Sequence, residues 1–276
     1  MAKRLRVIYE PSGRALEYGG LAVNLYAGCA AGCKYCYVPQ TLHKTREEHA
    51  ASTEPRKDVI KKLGMDLEDL FRDHKIVEGV KLFMCFTCDP YPEDSEITRK
   101  AIELCMGYDM PVRVLTKAPS RSERDWDLFA KHGVELGATF SCWAEGVCED
   151  WEPSAEPNGR RLDALADAHN QGIYTWVSME PVIVPEDMIR AIHDLGRLGC
   201  VDEVRVGMFN HLATVKREFP ELVDRYGIEH IDWGLFAQDA VAALRQYPWV
   251  WRMKDGLAKL APRGTPTNSD AAPMLR

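Results

Sequence analysis

Apolar and β-branched runs alternate along this chain with longer amphipathic stretches. The apolar runs predict strands at 80–87, 112–117, 134–141, 173–180 and 202–209, with one more short strand at 24–26. The stretches between them have apolar residues at helical spacing and predict helices at about 57–72, 95–106, 122–132, 160–171 and 185–197. Such alternation is typical of a parallel sheet whose strands are joined by helical crossovers.

This alternation sets the expected fold class and domain organisation. Six strands with helices between them favour an α/β partial parallel (β/α)6 barrel over the eight strands of a complete barrel. We expect the core barrel, with helical elements at its C-terminal end, at residues 21–257, after an N-terminal extension at 1–20. Residues 258–276 contain proline, serine and threonine without periodicity and predict a flexible tail.

The composition and net charge indicate where in the cell the protein is expected and which classes of partner it can bind. The 276 residues have a net charge of −7, which disfavours broad, charge-driven nucleic-acid binding but leaves room for a local basic groove. No apolar run is long enough to cross a bilayer, and the first residues lack the apolar core of a signal peptide. We therefore expect a cytoplasmic protein without a membrane partner. In that setting, the nine cysteines favour metal or redox chemistry over a disulfide framework.

Three cysteines stand close together in the stretch NLYAGCAAGCKYCYVPQ, residues 24–40. Cys29, Cys33 and Cys36 have the spacing C-x3-C-x2-C on a glycine-bearing loop. Soft thiolates suit iron–sulfur ligation, and three of them on a [4Fe–4S] cluster leave one iron open to a small molecule. Zinc stays an alternative, because a C-x-x-C pair, Cys85 and Cys88, could complete a set of four thiols.

The spacing of these cysteines, with the aromatic Tyr35 before the third one, resembles the motif of the radical S-adenosylmethionine (radical SAM) superfamily. The resemblance implies a partial (β/α)6 barrel of the radical SAM type. It also implies that the open iron chelates the methionine end of S-adenosylmethionine (SAM), and that the cluster, reduced by a flavodoxin- or ferredoxin-type electron donor, splits the sulfonium. The resulting 5′-deoxyadenosyl radical would abstract a hydrogen atom from the substrate.

Other segments resemble the spore photoproduct lyase-like, or DNA repair photolyase-like, branch of that superfamily. They are CDPYPEDSEITRKAIELC at 88–105, VRVLTKAP at 112–119, WEPSAEPNGRRLDALADAHNQGI at 151–173 and SMEPVIVPEDMI at 178–189. The resemblance covers most of residues 20–257 and implies cofactor-binding positions at Tyr35, Thr87, Cys88, Asp89, Lys117 and Ser141. In this branch the cluster ligands would be Cys29, Cys33 and Cys36.

The same branch implies catalytic candidates near the third cysteine and the second strand. Tyrosines flank the third cysteine in the photoproduct lyases, and here Tyr37 follows it. The lyase's hydrogen-donor cysteine corresponds to Phe86, so this chain departs from the pattern at that position. Cys85 or Cys88 would then stand in as the donor.

Strand parity gives a separate view of the barrel interior, because successive side chains of a strand point to opposite faces. The residues that fall on the inward face are mostly polar: Arg113, Lys117, Glu135, Gly137, Thr139, Ser141, Tyr174, Trp176, Ser178, Glu180, Glu203, Arg205, Gly207 and Phe209. A polar interior is costly unless it binds something, so this face predicts the SAM and substrate cavity.

Two inward residues have alternative interpretations. Glu180 would bind ribose hydroxyls or substrate, with a cap at the end of its strand as the alternative. Arg205 would bind a phosphate or carboxylate, with a structural pair to Glu203 or Glu180 as the alternative.

Three hypotheses for the function follow. In the first, the substrate is a nucleic-acid base or nucleotide that is repaired or modified, and the mouth of the barrel has a basic rim. In the second, the substrate is a small metabolite or a peptide, which the acidic net charge favours. In the third, the chain is a non-catalytic iron–sulfur or zinc protein.

Overall fold

The computed structural model describes residues 5–76 and 79–267. These residues form seven strands in one parallel sheet, in which the strands follow their order in the chain. The strands are β1 (Leu21–Val23), β2 (Leu82–Met84), β3 (Val112–Thr116), β4 (Glu135–Thr139), β5 (Thr175–Met179), β6 (Glu203–Val206) and β7 (Val250–Met253). No ladder joins β1 to β7 in the described ranges, so the sheet curves into an open, partial barrel.

The helices lie between the strands and after the sixth of them. Those before β5 are α1 (Val38–Thr41), α2 (Arg46–Ala51), α3 (Val59–Arg72), α4 (Glu96–Met106), α5 (Trp126–His132), α6 (Glu145–Trp151) and α7 (Asn158–Asn170). The later ones are α8 (Pro185–Leu198), α9 (Leu212–Glu218), α10 (Pro220–Arg225), α11 (Trp233–Leu244) and α12 (Asp255–Ala258). Within the described part of the chain, no helix combines the length and the apolar character needed to span a bilayer.

The structure changes the predicted sheet at its two ends. The first strand lies at Leu21–Val23, so the prediction of a strand at 24–26 is wrong. The chain leaves the ladder there because the side-chain oxygen of Asn24 accepts from the backbone N–H groups of Phe86 and Thr87, both at 2.8 Å. At the other end, β7 was not predicted. It is an edge strand in which three of the four residues are exposed or half-buried, and it lacks a continuous apolar run.

Both terminal segments contact the barrel where the structure describes them. The carboxylate of Asp66 on α3 accepts from the backbone N–H groups of Arg6, Val7 and Ile8. The predicted flexible tail is described as far as residue 267, and there Met253 N–H donates to the carbonyl of Pro266 at 2.9 Å. This part of the tail is therefore tied to β7. Residues 1–4 and 268–276 lie outside the described ranges.

Two apolar layers pack against opposite faces of the sheet, and strand parity predicted only the outer one. The outer layer joins the helices to outward residues of the strands, such as Leu136 and Val204. The inner layer is a smaller cluster around Ala22, Phe83 and Trp176. Burial of both faces explains why β2 to β6 appear in the sequence as strong apolar or mixed runs.

The inward polar residues at the start of the strands pair with one another. Arg113 lies 3.3 Å from Glu135 and 2.8 Å from Glu203, and Glu203 also accepts from Arg205. The ring of Trp176 covers the Arg113 guanidinium at 3.9 Å. Buried charges need such partners, so this half of the interior is filled by its own ion pairs. The expectation that the whole polar face lines the cavity is corrected: among these inward residues, Lys117, Thr139 and Glu180 line it.

Candidate active site

A cavity of about 520 Å³ opens at the carboxyl ends of the strands. Its volume lies in the range typical of pockets for cofactors and small molecules. Every predicted site residue lines it except Ser141 and Arg205: Cys29, Cys33, Tyr35, Cys36, Tyr37, Cys85, Thr87, Cys88, Asp89, Lys117 and Glu180. Sites of parallel barrels lie at this end, because the loops after the strands converge there.

The cysteine loop follows β1 and packs directly against α2. Cys29 N–H donates to the carbonyl of His49 at 3.1 Å, and Cys36 N–H donates to the carbonyl of Cys33 at 3.0 Å. A Cβ at Gly28 would lie 2.0 Å from the His49 carbonyl oxygen. Only glycine therefore lets the loop approach the helix this closely.

The three thiols of this loop suit an iron–sulfur cluster. All three are free cysteines that line the cavity. Burial raises the pKa of Cys33 to about 12 and also raises the pKa values of Cys29 and Cys36, so their thiolates need a positive group beside them. In residues 5–76 and 79–267, no three His, Cys, Asp or Glu side chains are grouped so that they could hold a metal ion. A cluster has no such requirement, because its three thiolates bind three different irons.

Cys85 and Cys88 form a thiol pair on another wall of the cavity. Both are free and buried, and their side chains hydrogen-bond to each other. Burial raises the pKa of Cys85. Burial also acts on Cys88, but the hydrogen bond from Cys85 and the Tyr26 N–H, at 3.4 Å from the sulfur, lower the pKa of that thiol. Cys88 is therefore the more acidic of the two.

Glu152, a buried carboxylate that was not predicted, supports the cysteine loop through Tyr35. It accepts from Tyr35, from Lys117 at 3.0 Å and from Arg161 at 2.6 Å, and it is 3% exposed. Burial would raise the pKa of Glu152, but the two cations and these hydrogen bonds hold it at about 2. The Tyr35 hydroxyl lies 2.8 Å from that of Ser141, which places the serine behind the tyrosine rather than at the cavity.

Asp89 joins the ends of β2 and β3 beside the cysteines. Its carboxylate accepts from the Thr116 hydroxyl at 2.6 Å, and from the backbone N–H groups of Lys117 and Tyr91 at 2.8 Å each. Thr87 is held by Arg56, whose guanidinium lies 3.2 Å from the threonine hydroxyl. These predicted residues therefore stand in fixed positions on one wall.

The opposite wall is a polar cluster around Glu180. Its carboxylate accepts from Lys254 at 2.6 Å, from Asn210 at 2.8 Å and from Tyr18 at 3.0 Å. Lys254 and Tyr18 were not predicted. Lys254 follows the unpredicted β7, and Tyr18 lies in the N-terminal extension, so no local pattern indicated that they contact Glu180. Arg205 takes its alternative role: it donates to Glu203 and to the Glu17 carbonyl, below the cavity.

An aromatic pair lies at the mouth. The ring of Tyr37 stacks on the imidazole of His211 with centroids 5.2 Å apart and planes 17° apart. Burial and the nearby charge of Arg14 lower the pKa of His211, which favours the neutral ring. The basic rim is small: among the described lysines and arginines that line the cavity, Lys117 and Lys254 are paired with carboxylates, which leaves the exposed Arg14.

The cavity, its cysteine loop and the parallel barrel agree with one family. The model of the radical SAM superfamily matches residues 23–199. The chain belongs to the radical SAM superfamily. The predicted α/β partial barrel of this type is confirmed, with β7 as an added seventh strand.

Two curated relatives are uncharacterised proteins. One, from Methanocaldococcus jannaschii, is 29% identical over 165 residues, which are 58% of this chain and 60% of the relative. The other, from Acidianus two-tailed virus, is 26% identical over 217 residues, which are 73% of this chain and 71% of the relative. The chain thus spans about three-fifths of the length of the first relative.

Solved radical SAM structures share the fold. A spore photoproduct lyase mutant with bound SAM and dinucleoside spore photoproduct has a TM-score of 0.62 at 18% identity, over 90% of this chain and 78% of the lyase. SuiB of Streptococcus suis bound to SAM has a TM-score of 0.60 at 11% identity, over 90% of this chain and 54% of SuiB. At these identities the likeness concerns the fold, and the predicted similarity to the lyase-like branch is confirmed at that level.

Proposed function

We propose that this radical SAM enzyme removes a hydrogen atom from a nucleic-acid base or nucleotide. Cys29, Cys33 and Cys36 would hold a [4Fe–4S] cluster, with SAM beside it in the cavity. When bound, these cofactors supply an electron and, from SAM, a carbon-centred radical that abstracts hydrogen. A flavodoxin or ferredoxin is the proposed electron donor, in keeping with the predicted cytoplasmic location.

One wall of the cavity would bind SAM and the other would face the substrate. Thr87 and Asp89 would face the methionine amino group of SAM, because they stand beside the cysteine loop. Lys117 would bind the methionine carboxylate or the ribose, with Glu152 fixing its ammonium group from behind. Tyr35 would pack near the adenine. The Glu180 cluster, on the opposite wall, would then face the substrate and, with the barrel around it, exclude water from the radical.

The proposed substrate class rests on the stacked pair of Tyr37 and His211 at the mouth of the cavity. Tyr37 and His211 present neighbouring aromatic rings where a substrate enters, and stacking on such rings is a general way of holding a base. Arg14 stands at the same mouth and could bind a phosphate. One exposed arginine suits a single nucleotide or a short segment better than a long duplex, which needs many phosphate contacts.

A peptide or a small metabolite is the second candidate. The cavity holds the carboxylates of Asp89 and Glu180, and the chain has a net charge of −7, both of which suit a cationic substrate. The structure of SuiB bound to its precursor peptide SuiA also shares the fold, with a TM-score of 0.55 over 84% of this chain at 9% identity. Family membership disfavours the third hypothesis, a non-catalytic iron–sulfur or zinc protein.

Deuterium transfer tests the substrate class. The anaerobically reconstituted enzyme, with dithionite and SAM, is expected to move deuterium from a labelled nucleotide or short single-stranded DNA into 5′-deoxyadenosine. Tyr37→Leu is expected to raise KM for that substrate by roughly tenfold to a hundredfold, since stacking of a base contributes about 1–3 kcal/mol. Tyr108→Leu, outside the cavity, is the control. Label that comes only from a peptide or metabolite, and from no nucleotide, would rule the assignment out.

Hydrogen return to the substrate is the proposed task of the thiol pair. Cys85 and Cys88 line the cavity, and an S–H group, unlike a serine hydroxyl, readily gives its hydrogen atom to a carbon radical. The thiyl radical left behind would return to the thiol by taking one electron from the proposed flavodoxin or ferredoxin donor and one proton from solvent. In D2O, where thiols exchange, we expect the product to carry solvent deuterium. Cys85→Ser or Cys88→Ser should lose this label while deuterium still reaches 5′-deoxyadenosine from labelled substrate. Cys105→Ser is the control, because it is buried in α4 away from the cavity. Full solvent labelling in the double serine variant would exclude the pair.

A further inference from the structure

His49, on the short helix α2, is a buried histidine that the function above does not use. It is 4% exposed and lines the cavity together with the three cysteines. Neither of its ring nitrogens has a hydrogen-bond partner among residues 5–76 and 79–267. Other buried side-chain atoms in these ranges also lack partners, but His49 is the residue among them that lines the cavity.

An unpartnered imidazole in a buried wall requires an explanation. A neutral imidazole has one N–H donor and one acceptor nitrogen, and leaving a buried polar group unsatisfied costs about 1–3 kcal/mol. The residues in the described ranges offer no partner, so a group outside the protein, in or beside the cavity, would have to supply one.

The backbone fixes where this ring stands. The His49 carbonyl accepts from Cys29 N–H at 3.1 Å, and the same carbonyl lies against Gly28, where no side chain fits. At its start, α2 is held by a capping box between Thr45 and Glu48. The residue that carries this imidazole is therefore next to Cys29, the first of the proposed cluster ligands. Its position depends on backbone contacts, which a change of side chain does not remove.

We propose that the His49 ring donates an N–H hydrogen bond to a sulfur atom of the iron–sulfur cluster and raises the reduction potential of that cluster. Hydrogen bonds to cluster sulfurs stabilise the more negative, reduced form, and such bonds tune the potentials of these centres. The inference rests on the proposed cluster site and adds a residue beyond its three thiol ligands. A higher potential would let a weaker reductant supply the electron.

The midpoint potential of the cluster tests this proposal. It is measured by redox titration followed by EPR, without SAM, so that the change reports the cluster itself. At a fixed applied potential near the midpoint, His49→Leu is expected to lower the ratio of reduced to oxidised cluster roughly tenfold, which is ~59 mV for a one-electron couple. His49→Gln or His49→Asn, which keep an N–H group near one of the ring nitrogens, should recover most of the shift.

Two controls separate this role from a structural one. His193→Leu should leave the potential unchanged, since that ring bonds to Tyr247 at 3.0 Å and does not line the cavity. Iron content must match in all variants. Should His49→Leu fail to load, pulsed EPR of the 15N-histidine-labelled wild type must show a nitrogen coupling that the loaded His49→Gln variant lacks.

The outcomes are distinct from those of the proposed function. A wild-type protein that loads no cluster refutes the cluster site itself. A loaded His49→Leu variant with an unchanged potential overturns only the hydrogen bond. The hydrogen bond is also overturned if neither His49→Gln nor His49→Asn recovers the shift in potential. It is overturned as well if the 15N-histidine-labelled wild type shows no nitrogen coupling.

Discussion

Alanine in place of Cys29, Cys33 or Cys36 is expected to abolish cleavage of SAM. Each thiol lines the cavity, and none of them forms a disulfide that would remove it from ligation. With one thiol missing, the two remaining thiols hold the cluster less well. The single iron that should stay open to SAM is then no longer the only iron without a thiol ligand. The loss should be complete within detection for all three positions.

The measurement compares cluster content and turnover in the same samples. After anaerobic reconstitution, iron and sulfide are counted and 5′-deoxyadenosine is quantified after addition of dithionite and SAM. Cys200→Ala is the matched control, because Cys200 is a free, buried cysteine outside the cavity. A triad variant that keeps full SAM cleavage, or a reconstituted wild type without iron–sulfur absorbance, would contradict the cluster assignment.

Glu152→Gln is expected to destabilise the fold by about 3–5 kcal/mol, the usual effect of removing one partner from a buried ion pair. The substitution keeps the volume, but it removes the charge and turns one of the two acceptor oxygens into an NH2 group that faces a donor. It leaves the side chains of Lys117 and Arg161 without their shared counter-charge, at 14% and 1% exposure respectively. Tyr35, between Cys33 and Cys36, would lose a carboxylate acceptor as well.

Urea unfolding at two pH values tests the charge explanation. The pKa of Glu152 is held at about 2, below its usual value of 4.5, so its stabilising effect is fully present above about pH 4.5. It is lost as the pH falls towards 2. The difference between wild type and Glu152→Gln should therefore be larger at pH 7 than at pH 4.

An exposed ion pair supplies the comparison for this variant. Glu229→Gln breaks a surface pair with Lys216, and such pairs contribute about 0–1 kcal/mol. If Glu152→Gln falls within the range of Glu229→Gln, or if its effect does not change with pH, the buried network does not stabilise the protein as described.

The middle of the sheet could be predicted because its strands are buried on both faces. β2 to β6 have continuous apolar or mixed runs, and the long helices between them have a clear apolar side. The ends of the sheet lack this pattern. At β1 the apolar stretch runs on through Leu25 and Tyr26, although a side-chain contact of Asn24 ends the ladder. At β7 the residues are partly exposed.

Within the site, too, one part could be predicted from the sequence and the other could not. The cysteine loop was readable because its three thiols lie within eight residues of one another, so a local spacing contains the chemistry. The buried residues that hold the site from outside this loop could not be predicted. Glu152 and Lys254 reach Lys117 and Glu180 across 35 and 74 residues of chain, and nothing in the local pattern of either residue indicates its partner.

By itself, the sequence determined the α/β alternation, the inward and outward faces of the strands and the identity of the cysteine loop, because each of these follows from the spacing of neighbouring residues. The tertiary structure alone decided which inward charges cancel one another and which remain at the cavity. It also decided that the ring of His49, a residue in contact with the cysteine loop, has no hydrogen-bond partner within residues 5–76 and 79–267. These properties depend on distances between segments far apart in the chain, and such distances are fixed only when the sheet curves and brings its strand ends together.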